Sequence, residues 1–240
     1  MALGIVRVGK VTCVEGRHRP FSIVDIGSSG LIPLLEIPSA EAGVLVAQAM
    51  RDAGLTCVEV VLRTDSAISG ISAIRTALPS LYVGAGTVLE ADQVDVAVEA
   101  GADFVVTPGF NGKVVERCNK LAVPVLPGVA TPTEIDMARA AGIGVMKLFP
   151  VEPLGGIGYL RAIAAPYHKI RFVPTGGVNA SNLADYLTLS SVLACGGSWV
   201  APEALVETGD WDGVHELAVE AVAIARAARQ RSDPERKRRS

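Results

Sequence analysis

The sequence lacks several features that would assign it to a specialised class of protein. Its four cysteines, Cys13, Cys57, Cys118 and Cys195, are far apart and form no C-x-x-C pair, so neither a zinc site nor a redox motif is indicated. The net charge of -3 leaves no basic surplus of the kind that nucleic-acid-binding proteins carry. We therefore expect reduced, mostly buried thiols and no nucleic-acid partner.

Long apolar segments are also absent. No run of apolar residues approaches the roughly 18 that a membrane-spanning helix needs, and no basic segment followed by an apolar stretch opens the chain. We therefore expect a cytoplasmic protein that is neither secreted nor inserted into a membrane.

Positive charge is concentrated at the end of the chain. Residues 229–240 hold six basic and two acidic residues, which leaves about -7 for the rest of the chain. Such a segment is typical of a disordered, solvated tail, and contact with RNA or an acidic partner is the alternative. We predict three regions: an N-terminal extension (1–29), one barrel domain (30–228) and this tail (229–240).

The 240 residues are half hydrophobic, and short apolar runs alternate with segments of helical periodicity. Each run reads as a buried strand, and the following segment often has an acidic start and a terminal glycine, which is typical of a helix. The eight predicted strands are 31–37, 56–63, 81–86, 103–109, 123–128, 144–150, 170–177 and 192–197.

Eight strand-then-helix units predict a closed parallel α/β barrel, the (β/α)8 or TIM barrel, whose usual length of about 250 residues matches this chain. A doubly wound open sheet is the alternative. That fold normally carries a glycine-rich dinucleotide motif after its first strand, and "EIPSAEA" is not such a motif.

An active site in a (β/α)8 barrel lies at the carboxyl ends of the strands. Polar residues end several of the predicted apolar runs here. Strict alternation places Glu59, Val61 and Arg63 on one face of the second strand, and Lys147 on the same face as Val145 and Phe149 in the sixth. If both faces point inward, a carboxylate and an amine share the barrel mouth.

Lys147 is surrounded by apolar residues in "GVMKLFP", and desolvation there disfavours its charged form. A neutral amine can attack a ketone and form a Schiff base, which draws electrons from an adjacent carbon–carbon bond. Glu59 would then transfer the protons. A buried Glu–Lys ion pair without catalytic function is the alternative.

Two glycine pairs follow the last two strands, in "PTGGV" and "GGSWV". Barrels commonly bind phosphate at this position through backbone N–H groups. A single glycine pair usually marks only a tight turn, but two on consecutive strands, beside Thr175 and Ser198, favour a phosphate site. Arg63, with its planar pair of donors, suits a substrate carboxylate.

These motifs, with "VEVVLRT", "VGAGTVL", "VTPGF", "PGVATPTE" and "KLFP", resemble the 2-keto-3-deoxy-6-phosphogluconate (KDPG) and 4-hydroxy-2-oxoglutarate (KHG) aldolase family over residues 30–215. The resemblance implies a class I aldolase that cleaves KDPG to pyruvate and glyceraldehyde 3-phosphate. It also implies a homotrimer that needs no metal or organic cofactor.

The resemblance assigns roles to individual residues. Lys147 would be the Schiff-base lysine and Glu59 the general acid and base. Arg63 and Thr87 would hold the substrate carboxylate, and Pro108 and Phe149 would shape the pocket. The phosphate would be bound by Thr175, Gly176, Gly177, Gly197 and Ser198, largely through backbone N–H groups.

The chain departs from the family pattern in a few places, and other activities stay open. Val61 stands where close relatives often carry threonine, which predicts altered specificity. "EVVLRT" and "PTGG" favour the gluconate branch over the branch that cleaves the galactonate epimer. Cleavage of 4-hydroxy-2-oxoglutarate is a further expectation. A phosphosugar isomerase and a non-catalytic phosphosugar-binding barrel are the alternatives outside the family.

Overall fold

A computed structural model describes residues 22–232 of the chain. All of its strand pairs are parallel, and helices separate successive strands of the barrel. The strands are β1 Leu31–Leu35, β2 Cys57–Val61, β3 Tyr82–Gly86, β4 Phe104–Val106, β5 Val125–Leu126, β6 Gly128–Val129, β7 Val145–Leu148, β8 Arg171–Pro174 and β9 Cys195–Gly197.

The nine strands form the predicted (β/α)8 barrel because β5 and β6 are two parts of one barrel strand. Pro127 lies between them, and proline has no N–H to continue a ladder. The interruption leaves a six-stranded sheet, in the order β5-β4-β3-β2-β1-β9, and a three-stranded sheet, β6-β7-β8. Two single bridges, Phe172–Val192 and Thr175–Gly196, join β8 to the chain around β9 and close the barrel.

The helices surround this barrel, and several begin with a side-chain cap. Thr131 and Glu134 form a reciprocal capping box at one of them, with a proline in its first turn. The helices are α1 Ile23–Ile26, α2 Ala40–Asp52, α3 Ala67–Ala77, α4 Ala91–Glu99, α5 Gly112–Lys120, α6 Pro132–Ala140, α7 Gly156–Ala164, α8 Leu183–Leu187, α9 Glu203–Thr208 and α10 Trp211–Ser232; a 3-10 turn spans Gly27–Ser29.

Apolar side chains fill both the barrel interior and the layer between the strands and the helices. The interior cluster includes Cys57 of β2, Phe104 of β4 and Val145 of β7, with Ile26 of α1 packed against them. Met146 and Leu148, the alternate residues of β7, belong to the outer layer. Alternation therefore points Val145 and Lys147 into the barrel.

The ends of the predicted barrel domain lie close together in the structure. Arg229, near the end of α10, donates hydrogen bonds to the backbone carbonyls of Gly27, Ser28 and Leu193. The helix α10 itself ends at Ser232, four residues past the predicted domain boundary at residue 228. Residues 1–21 of the predicted extension and 233–240 of the predicted tail lie outside the described residues, and the three-region division stays a prediction.

Candidate active site

Strands β2 and β7 bring one carboxylate and one amine together inside the barrel. Glu59 shares the inward face of β2 with Cys57, and Lys147 shares the inward face of β7 with Val145. The Lys147 Nζ lies 3.3 Å from the Glu59 Oε1 and donates a hydrogen bond to it. The side chains are only 6% and 2% exposed, respectively. Water therefore screens this pair very little.

The surroundings of the pair are shaped to hold it. The Lys147 Nζ also lies 5.5 Å from the centre of the Phe149 ring, within the range of a cation–π contact. On the other side, Gly86 of β3 faces Glu59, and a Cβ at that position would lie 2.3 Å from the Glu59 Oε1. The glycine therefore leaves the space that the carboxylate occupies.

A cavity of about 430 Å³ opens above this pair, at the carboxyl ends of the strands. Its wall includes Val61 and Phe149, each two residues beyond a member of the Glu59–Lys147 pair, so the pair lies deeper in the barrel than the cavity itself. Many of the residues predicted to bind substrate line it: Arg63, Phe149, Thr175, Gly176, Gly177, Gly197 and Ser198.

Thr87 and Pro108, the other two predicted substrate-binding residues, do not line this cavity in the described part of the chain. Thr87 follows β3 with a φ of 58°, an unusual conformation for a residue other than glycine. Pro108 follows β4, and its carbonyl packs so closely against Gly128 that a Cβ there would lie 2.1 Å from the oxygen. Both lie after barrel strands, and their roles in substrate binding stay predictions.

Arg63 reaches the cavity differently from the expectation. The prediction that strand alternation continues to residue 63 was wrong, because β2 ends at Val61. The Arg63 N–H then donates to the Val61 carbonyl in a turn. The guanidinium lies 3.5 Å from the carboxylate of Glu36, and both side chains are more than half exposed. Glu36 was not predicted as a site residue, although it ends the apolar run of β1 and could have been found by the same rule as the others.

The buried cysteines do not supply a nucleophile. Burial raises the pKa of Cys118 to about 12. It also raises the pKa values of Cys57 and Cys195, with the nearby Glu59 charge adding to the effect at Cys57. A thiol that keeps its proton is a poor nucleophile. Lys147, also buried, carries the amine that lies next to the cavity.

Residues 22–232 offer neither a cluster of metal ligands nor a membrane-spanning helix. No group of three or more histidine, cysteine or acidic side chains there is arranged to hold a metal ion. None of the helices in this range combines the length and the apolar character that crossing a membrane requires.

Comparison with known proteins identifies the family. The family model described as "Aldolase: KDPG and KHG aldolase" matches residues 25–217. A 2-dehydro-3-deoxy-phosphogluconate aldolase from Treponema pallidum is 44% identical over 194 residues, which are 81% of this chain and 92% of that protein.

Two solved structures are similar over most of their length. One is a KDPG aldolase from Legionella pneumophila with pyruvate captured at low pH as a covalent carbinolamine intermediate. It is 34% identical in sequence and has a TM-score of 0.79, and the matched region spans 82% of this chain and 95% of the Legionella chain. The other is the KDPG aldolase of Zymomonas mobilis with 3-phosphoglycerate. That aldolase is 36% identical in sequence and has a TM-score of 0.78, and the matched region spans 86% of this chain and 99% of the Zymomonas chain. The chain therefore belongs to the KDPG and KHG aldolase family.

Proposed function

We propose that this lyase cleaves 2-keto-3-deoxy-6-phosphogluconate to pyruvate and glyceraldehyde 3-phosphate through a Schiff base on Lys147. The observation that carries the proposal is the pair of Lys147 and Glu59, 3.3 Å apart and buried beside the apolar cluster of the barrel interior. A buried pair of this kind costs desolvation and is weak evidence for a stabilising role. The names of the related aldolases, and the covalent pyruvate in one of them, support the same chemistry.

The pair supplies both the nucleophile and the proton carrier of the reaction. Glu59 takes a proton from the Lys147 ammonium, and the neutral amine attacks the C2 carbonyl of the substrate. The carbinolamine loses its hydroxyl as water, with a proton returned by Glu59, and leaves a protonated imine. Its positive nitrogen is the electron sink for the next step.

The carbon–carbon bond breaks once the imine is in place. Glu59 removes the proton of the C4 hydroxyl, the C3–C4 bond breaks, and its electron pair moves into the imine to give an enamine. Glyceraldehyde 3-phosphate leaves with the new aldehyde carbonyl at C4. Glu59 returns the proton to C3, and water hydrolyses the resulting imine to pyruvate and free Lys147.

The cavity offers partners of the right kind for the two charged ends of this substrate. Arg63 lies at one side and suits the carboxylate, to which Thr87 would also donate. Two glycine pairs and the hydroxyl of Ser198 lie where β8 and β9 end, and suit the phosphate. Pro108 and Phe149 would shape the pocket between these ends.

Three further proposals accompany this one. The same imine chemistry would cleave 4-hydroxy-2-oxoglutarate, because this compound is also a 2-keto acid with a suitable leaving group. "EVVLRT" and "PTGG" favour the gluconate substrate over its galactonate epimer. From the family resemblance we also propose a homotrimer located in the cytoplasm.

Trapping with borohydride tests the mechanism. Incubation with pyruvate and borohydride should leave one reduced adduct, which peptide mapping assigns to Lys147. Lys147→Ala should lose both the adduct and the cleavage of KDPG, and Lys147→Met gives a variant of closer volume if the smaller side chain destabilises the barrel. Lys113→Ala, at an exposed lysine of α5, is the matched control and should keep both.

Two results would overturn the proposal. Cleavage retained in both Lys147 variants would exclude the Schiff base. A wild-type protein that converts phosphosugars without any trapped adduct would instead favour an isomerase that works by proton transfer.

A further inference from the structure

The loop formed by Gly176 and Gly177 is held in place from outside the cavity that it lines. The Glu152 N–H donates to the Gly176 carbonyl at 3.0 Å, and the side-chain amide of Asn182 donates to the Gly177 carbonyl at 3.2 Å. In a trans peptide, the N–H of the following residue points opposite to the carbonyl. These two bonds therefore set the directions of the N–H groups of Gly177 and Val178.

The side chain of Glu152 ties this loop to helix α8. Its Oε1 accepts a hydrogen bond from the hydroxyl of Tyr186, which is completely buried, and one from the Asn182 amide at 3.3 Å. The same Asn182 nitrogen reaches the Gly177 carbonyl. Tyr186, Glu152, Asn182 and Gly177 thus form one connected chain of contacts.

Glu152 also packs directly against the loop. A Cβ on Gly177 would lie 2.5 Å from the Glu152 Cγ, and the φ of Gly177 is +90°, a conformation that glycine adopts readily. Burial, together with the hydrogen bond to Glu152, raises the pKa of the Tyr186 hydroxyl. Tyr186 therefore keeps its proton and remains a donor to Glu152 over the pH range in which enzymes work.

We propose that Glu152 is a positioning residue for the phosphate end of the site: through Asn182 and Tyr186 it fixes the Gly176–Gly177 loop so that its amides meet a phosphate monoester. This inference rests on the proposed function, since it concerns the phosphate of that substrate. Glu152 itself need not touch the phosphate, because it does not line the cavity and its side chain contacts Tyr186, Asn182 and Gly177.

The role depends on the shape and acceptor capacity of the Glu152 side chain and not on its charge. A carboxylate behind an anion-binding loop repels a phosphate, so its negative charge brings no advantage there. Glutamine has nearly the same shape and keeps one acceptor oxygen for Tyr186 and Asn182. Alanine removes both bonds and leaves the buried Tyr186 hydroxyl without its acceptor.

The test compares two ligands that contain phosphate, KDPG and inorganic phosphate, with one that does not, pyruvate. The KM for KDPG and the inhibition constant of inorganic phosphate report the phosphate end, whereas the pyruvate concentration for half-maximal borohydride trapping reports the Lys147 end. We expect Glu152→Ala to raise the KM for KDPG and the inhibition constant of phosphate by about tenfold or more, because well-directed hydrogen bonds to an anion are lost. The pyruvate concentration for half-maximal trapping should stay within about twofold of the wild type.

The conservative variants separate positioning from a general loss of structure. Glu152→Gln should stay within about threefold of the wild type for all three constants, since its acceptor is kept. Tyr186→Phe removes only the hydroxyl and should raise the two phosphate-dependent constants by a smaller factor, which keeps the test available if Glu152→Ala does not fold. Asp185→Ala, at an exposed residue of the same helix, is the matched control and should change none of them.

Several outcomes would overturn the inference. It fails if both Glu152→Ala and Tyr186→Phe leave the phosphate-dependent constants unchanged, if they weaken pyruvate trapping as much as phosphate binding, or if Glu152→Gln behaves like Glu152→Ala. A wild-type protein that does not cleave KDPG would refute the proposed function alone. Calorimetric binding of inorganic phosphate to the same variants would then still decide whether Glu152 positions the loop.

Discussion

Replacing Gly86 by alanine should displace the carboxylate of Glu59, the proposed acid and base, without removing it. The new Cβ would lie 2.3 Å from the Glu59 Oε1 and 2.6 Å from its Cγ, whereas ordinary contacts begin at 3.4 Å. Because both the oxygen and the Cγ are too close, the whole side chain must shift by about 1 Å. A misplacement of that size costs about 100-fold in rate, or about 2.7 kcal/mol of transition-state stabilisation.

The effect should appear in turnover and not in the amount of imine formed with pyruvate at equilibrium. Lys147 is on the other sheet and its amine remains in the barrel, so pyruvate trapping at equilibrium should be retained while kcat for KDPG falls by about two orders of magnitude. Overpacking of this kind destabilises by about 1–3 kcal/mol, so the variant should melt several degrees lower but remain folded at 25 °C.

The measurement is steady-state pyruvate release, with trapping and a thermal melt on the same preparation. Gly144→Ala is the matched control, because a Cβ at Gly144, just before β7, would meet nothing within 4 Å. A Gly86→Ala enzyme with kcat within about threefold of the wild type would refute the reasoning, since the position of Glu59 would then not govern proton transfer.

Three smaller predictions follow from other contacts. Thr131→Ala removes the N-cap of α6 and should lower the free energy of unfolding by about 1 kcal/mol, or the melting temperature by about 2–4 °C, with turnover unchanged. Thr133→Ala, at an exposed position of the same helix, is the control, and an equal loss of stability there would contradict a capping effect. Glu36→Gln removes the carboxylate that competes for Arg63 and should lower the pyruvate concentration for half-maximal trapping by up to about threefold, as expected for an exposed pair; an increase would disprove the competition. Burial raises the pKa of Cys118 from 9.0 to about 12, so iodoacetamide at pH 8 should label Cys118 only after unfolding. For the same reason the free energy of unfolding should fall as the pH rises from about 9 towards 12. Labelling of Cys118 in the folded protein, detected by peptide mapping, would refute the protection of this thiol.

Much of the barrel could be predicted because each strand is a short apolar run followed by a helical segment. The strands are shorter than those runs, and the reasons are local. Pro127 divides the fifth strand, which the two prolines of "VPVLPG" could have indicated. In the fourth strand the chain leaves the ladder after Val106, where the Thr107 hydroxyl turns to donate to the Gly109 carbonyl.

The site was predictable where a polar residue ends or interrupts an apolar strand, as Lys147 and Glu59 do. Glu152 could not be found in this way, because it follows the strand in an ordinary turn and its partner Tyr186 lies 34 residues further along the chain. Strand periodicity contains no information on such contacts. Glu36 itself ends an apolar run and was predictable, but its pairing with Arg63 was not, since Arg63 reaches it from a turn and not from a strand.

The succession of strand–helix units along the chain has a consequence for how parts of the barrel could work. The first four strand–helix units contain Glu59 and Arg63, whereas the last four contain Lys147 and the glycine pairs. A chain cut in the loop between α5 and β5 would separate the proposed base from the proposed nucleophile, and we expect each half-barrel alone to be inert. Aldol cleavage by the two co-expressed fragments would therefore be a direct signal of their association, with no background from either piece.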